Sequence, residues 1–169
     1  KVNNEYTGMI SFDLEGVYLT SELQQNIAMQ GIQLRQYVLE QDDTTLREFE
    51  NIQKTVDQGL VDLYNFAQSE EIKEVIAGMQ ENNLTFNEAA EHITTAVANK
   101  DQERAIQLIT NEAKVANNEM LATAQSILDT LQDRFTVTAN ETDSWVKSGI
   151  VTLVIISIIS LVIAIAIGV

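Results

Sequence analysis

The sequence predicts an all-α protein: an antiparallel up-down-up-down four-helix bundle whose fourth helix continues into a transmembrane helix. Three observations predict it. The 169 residues include no proline, the residue that most strongly breaks helices. Apolar residues recur at heptad spacing along most of the chain. Residues 148–169, SGIVTLVIISIISLVIAIAIGV, carry no charge.

Three short polar breaks divide the first part of the chain into helices over 2–41, 44–67, 70–98 and 101–147. The first break is Gln41-Asp42-Asp43-Thr44. The second lies around Gln68-Ser69, where Ser69 can cap a helix that holds Glu70 and Glu71 in its first turn. The third is Asn99-Lys100-Asp101, with Asp101 as the cap. Links this short place successive helices antiparallel.

The apolar stripes support that division. Leu46, Phe49, Gln53, Val56, Leu60, Leu63 and Ala67 follow 3-4 spacing in the second helix. Ile72, Ile76, Met79, Asn83, Phe86, Ala90, Ile93 and Val97 follow 4-3 spacing in the third. The fourth starts with Ile106, Ile109, Ala113, Ala116 and Met120, then shifts register to Ala124, Ile127 and Leu131. A mean spacing of about 3.5 is the pattern of knobs-into-holes packing. Gln24, Gln53 and Asn83 interrupt stripes, where buried polar residues fix register.

The first helix is apolar around more than half its circumference, through Leu14, Val17, Leu19, Leu23, Ile27, Ala28, Gly31, Leu34 and Val38. A helix buried only in its own bundle needs a narrower stripe. The excess predicts a homodimer through the first helix.

Composition excludes several functions. Twenty-five acidic residues against ten basic ones give a net charge of −15, which repels nucleic acid. There is no cysteine and a single histidine, His92, so neither a disulfide framework nor a histidine-based zinc site is expected. No nucleophile–base pair, metal cluster or phosphate loop is evident. The expectation is a non-enzyme with no cofactor, no metal and no catalytic residue.

Residues 148–169 as a helix would extend about 33 Å, close to the roughly 30 Å of a bilayer core. Trp145 and Lys147 precede them as interface residues would. The flank is poor in lysine and arginine, which places the bundle, 1–147, outside the cytoplasm of a cell inner or plasma membrane. Both ends read as cut points of a longer protein, with a first membrane span expected upstream of Lys1.

Two short segments then carry a resemblance. Arg35-Gln36-Tyr37-Val38-Leu39-Glu40-Gln41-Asp42, followed by Leu46 and Phe49, is similar to the end of helix one and start of helix two in the sensor domain of methyl-accepting chemotaxis proteins. Asn99-Lys100-Asp101-Gln102-Glu103-Arg104-Ala105 is similar to that family's turn into helix four. The resemblance implies a dimeric receptor that detects a small molecule, free or on a carrier binding protein, and signals through helix four. Sensor histidine kinases carry a similar helical domain and give the alternative reading. A tail-anchored helical tether for membrane fusion is the more distant one. Aspartate-sensing members of the family bear several arginines on helix one, whereas this chain has only Arg35 there. Arg35, with Gln36 and Tyr37, is the candidate ligand site, since a guanidinium pairs well with a carboxylate.

Overall fold

The computed structural model describes residues 2–140. Among them all regular structure is helical: α1 Val2–Glu40, α2 Asp43–Phe66, α3 Glu70–Ala98, α4 Gln102–Leu108, a π-helical turn Ile109–Ala113, and α5 Lys114–Asn140. The chain divides into two compact units, Tyr18–Leu128 and a second made of Lys1–Val17 with Asp129–Val169. In the second unit the described residues belong to the first part of α1 and the last part of α5. The sites below all lie in Tyr18–Leu128.

Local chemistry sets the helix ends. Asp42 caps α2: its Oδ1 accepts from Thr44 N at 2.7 Å and Thr45 N at 3.1 Å, satisfying amides that a helix start leaves open. Asp101 does the same for α4 through Arg104 N at 3.1 Å. Ser69 occupies the cap position of α3, but its side chain makes no capping bond. The α3–α4 link closes with Lys100 N on Val97 O and Asp101 N on Ala96 O, both at 2.9 Å. That pair of bonds is the helix-ending arrangement usually completed by glycine. Here Lys100 takes the left-handed conformation, φ 61°.

Packing follows the stripes on α2 and α3. Phe49, Val56, Leu60 and Leu63 are buried on α2, and Ile76, Met79, Phe86, Ile93 and Val97 on α3. The rings of Phe49 and Phe86 lie 6.3 Å apart at 51°, within the range of favourable aromatic pairs. Burying side chains of this size is worth about 1.5–3 kcal/mol each. Gln53 Nε2 donates to Asn87 Oδ1 at 2.7 Å, and Asn83 Nδ2 to Asp57 Oδ1. Partner numbers fall along α3 as they rise along α2, so the two helices run in opposite directions. On α1, Leu23, Ile27, Leu34 and Val38 are buried. Two amide bridges join it to α5: Gln24 Nε2 donates to Gln125 Oε1 at 3.1 Å, and Gln30 Nε2 to Asn117 Oδ1 at 3.2 Å.

The fourth segment departs from expectation. Its buried residues are Ala105 and Leu108, then Ala113, Ala116, Met120 and Ala124. Ile106, expected in the core, is 50% exposed. The step from Leu108 to Ala113 spans the π turn. A π turn bonds i to i+5 and inserts one extra residue, which moves the inward face by one position. The register shift expected after Met120 is present, since Ala124, Ile127 and Leu131 are all buried, and the π turn at Ile109–Ala113 adds an earlier one that the sequence reading did not foresee.

The expected membrane helix 148–169 and the interface residues Trp145 and Lys147 lie outside the described residues. Among the described residues no helix is long and apolar enough to cross a membrane. This finding corrects the localisation expected from the sequence, an inner or plasma membrane with the bundle outside the cytoplasm. The physical reason is that each described helix interleaves its buried face with charged positions, for example Glu48, Lys54 and Asp57 on α2 or Glu81, Glu88 and Glu91 on α3. None contains the uncharged run that a span requires.

Candidate functional site

Four segments converge on one small cavity. Helix α1 supplies Gly31, Leu34 and Arg35, and α3 supplies Phe86. The π turn supplies Ile109 and Ala113, and α5 supplies Lys114 and Asn117. Its volume is about 10 Å³, room for one water molecule. Phe86 and Leu34, both fully buried, give it apolar walls. Arg35 and Lys114 are exposed and stand at its rim.

The polar part of the wall is Asn117, 3% exposed. Its Oδ1 accepts from Gln30 Nε2. The Oε1 of Gln30 is buried without a hydrogen-bond partner, as are Gln33 Oε1 and Asn83 Oδ1. A buried acceptor with no donor carries a desolvation cost of about 1–3 kcal/mol, so this α1–α5 contact holds unspent acceptor capacity. Gly31 makes the close approach possible. A Cβ placed there would lie 2.9 Å from Asn117 Nδ2.

The three residues expected to form a ligand site do not converge. They are consecutive on a helix, so they point about 100° apart. Arg35 borders the cavity. Gln36 Nε2 instead donates to Glu40 Oε1 at 3.0 Å, one turn along its own helix. Tyr37 is 7% exposed. Burial raises the pKa of its phenol above the ordinary tyrosine value, and the carboxylates of Asp43 and Glu50 raise it further. Its neighbourhood is thus the acidic start of α2. Among the described residues Arg35 forms no ion pair with a glutamate of a neighbouring helix.

Sequence reasoning missed Lys114 and Asn117. Both follow the π turn, beside the stripe residues Ala113 and Ala116 that are buried as expected, and only the approach of Gly31 and Leu34 from α1 makes their surroundings a cavity. The available signal was position alone: each lies one residue past a member of the stripe, Ala113 or Ala116.

Two open grooves also lie in this unit. One, about 380 Å³, runs between α2 and α3 past Glu50, Gln53, Leu84, Asn87 and Glu91. The other, about 320 Å³, includes His92, Asn99, Asp101 and Arg104. His92 is exposed there. Among the described residues no group of three His, Cys, Asp or Glu side chains could hold a metal ion. Gln24 and Gln53 bond across helix pairs, and neither lines the cavity. Comparison with protein-family models, with curated proteins and with solved structures finds no match.

Proposed function

We propose that this chain is the sensor module of a chemoreceptor-type signalling protein, an up-down-up-down four-helix bundle that binds a small anionic molecule, free or on a carrier protein. One observation carries the reading. In a chain with only ten basic residues and a net charge of −15, Arg35 and Lys114 from separate helices border one cavity. Neither forms an ion pair among the described residues. Two uncommitted cations beside the buried amide of Asn117 suit a carboxylate, which accepts charge-assisted bonds from both. The cavity holds no more than a water-sized group, so the ligand sits at the rim and reaches inward with one polar atom.

The signal is a change in packing between α1 and the α4–α5 rod. Helix shifts of about 1–2 Å are typical of such transitions. The same module would serve a sensor histidine kinase, whose output differs but whose sensing chemistry does not. A second copy of the chain docks along α1, where Tyr18 is 64% and Leu39 74% exposed. Both share a heptad frame with half-buried Ile32, the spacing of a helix–helix seam.

A thermal-shift titration with a panel of small carboxylates tests the reading. A ligand that prefers the folded state raises the melting temperature with its concentration. The rise is expected to disappear in both Arg35→Ala and Lys114→Ala. A panel with no saturable shift, or a shift unchanged by both substitutions, would refute it. Sedimentation of Leu39→Glu beside the parent chain tests the dimer: the parent should sediment as a dimer and the variant as a monomer.

A further inference from the structure

We propose that the fourth rod is a two-register element: residues 102–113 exchange between the π-turned frame of the structure and an unbroken α frame that turns Ile106 and Ile109 inward. Met120, Ala116 and Ala113 are buried at spacings that a plain α-helix satisfies. Continued without a break, the same spacing next reaches Ile109 and Ile106. The structure instead buries Leu108 and Ala105, five residues and then eight before Ala113. The π turn at Ile109–Ala113 makes this possible.

Downstream of the turn the sequence offers one apolar frame. Upstream it offers two, displaced by a single position. The unused frame is the more apolar, with two isoleucines in place of an alanine and a leucine. Its cost in the present state is visible: Ile106 is 50% exposed. Space opposes the other frame. The segment packs against α3, and the neighbouring cavity of about 10 Å³ cannot absorb the extra methyl groups until the contact rearranges. Burial of apolar area favours the α frame and close packing favours the π frame, so the two oppose each other.

Exchange moves one residue through the turn. It rotates α4 by about 100° and shifts it by about 1.5 Å along its axis. The α3–α4 link takes up that residue by releasing the two bonds that Lys100 N and Asp101 N make to Val97 O and Ala96 O. Interlocked helix faces have discrete packings rather than a continuum, so the element switches between two states. This inference stands apart from the ligand reading, since it concerns backbone register and its test uses no ligand.

The chain has no cysteine, so single-cysteine reporters can be read without background. Leu108→Cys and Met120→Cys, each in the full chain, are exposed to a thiol reagent under native conditions. Both sites are buried in the π frame, but only position 108 faces outward in the α frame. A minor state at about 0.1–10% population makes Leu108→Cys label about tenfold or more faster than Met120→Cys. Deleting Thr110 removes the extra residue and fixes the Leu108–Ala113 frame, so the two rates should then coincide. Where helical circular dichroism shows that the deletion disturbs folding, Ile106→Gln replaces it, because a half-exposed glutamine folds readily but resists turning inward. Equal rates in the intact chain would overturn the proposal. A fast Leu108→Cys rate that neither change slows would overturn it too, because that result describes fraying of α4 without exchange of register.

Discussion

Gly31 on α1 and Asn117 on α5 approach so closely that a Cβ at position 31 would meet Asn117 Nδ2 at 2.9 Å. The contact ties glycine to that position for reasons of space, since its backbone is plainly helical. It also holds the Gln30–Asn117 bridge of 3.2 Å beside the cavity that Arg35 and Lys114 border.

Gly31→Ala should therefore destabilise the protein. The Asn117 amide must shift, and the bond from Gln30 weakens at a residue whose own Oε1 already lacks a donor. The expected loss is about 1–3 kcal/mol, measured by urea unfolding. A neutral or stabilising result would mean that the α1–α5 contact is looser than the structure shows.

Gly78→Ala should do the opposite. Gly78 lies inside α3 and nothing stands within 4 Å of a Cβ added there. Alanine keeps the helix and loses less chain entropy on folding, which gives a gain of about 0.5–1 kcal/mol. The same unfolding measurement reads it, and opposite signs at the two glycines separate space from propensity.

Leu108→Ala and Ile106→Ala rank the frames of the fourth rod. Leu108 is 2% exposed, so its truncation should cost about 2–5 kcal/mol. Ile106→Ala removes a half-exposed side chain, and its cost should stay well below that range. A strict α reading predicts the reverse order, so the comparison tests the π turn directly.

Lys100→Gly should stabilise the α3–α4 link. A residue with a Cβ at φ 61° carries a steric cost of roughly 1–2 kcal/mol, which glycine removes. Part of that is lost again to glycine's greater freedom when unfolded. The net expectation is a gain of roughly 0.5–1 kcal/mol. A loss of stability would show that the lysine side chain has a role there.

Acid should uncap α2. The amides of Thr45 and Thr44 bond the Asp42 carboxylate and lower its pKa below the ordinary aspartate value. A group whose pKa is lower in the folded state stabilises above its unfolded pKa, and that contribution fades as pH falls through the folded value. Asp42→Asn keeps a capping oxygen but cannot titrate. The stability difference between parent and variant should hold at neutral pH and change in the parent's disfavour below the usual carboxylate range. A difference that stays constant through that range would rule out the cap as its source.

Much of the secondary structure was legible from residue order. The stripes on α2 and α3 identify Phe49, Val56, Phe86 and Ile93 as core residues because a helix repeats its face at a fixed period. Asp42 and Asp101 mark helix starts because a short carboxylate reaches the open amides next to it. Both signals are local, so neighbouring residues are enough to read them. Little of the candidate site was legible in this way. Arg35 could be picked out as a lone arginine on the first helix, but Gln36 and Tyr37 were placed with it only by adjacency, and a helix turns adjacent residues apart.

Sequence alone thus determined that the chain is helical, where most helices begin and which faces of α2 and α3 turn inward. Tertiary structure decided the register of the fourth rod, the pairing of Gln30 with Asn117 and the placing of Arg35 and Lys114 beside one cavity. The physical reason lies in range. Ala105–Leu108 and Ile106–Ile109 satisfy the same local periodicity, and only the space left by α1 and α3 selects between them.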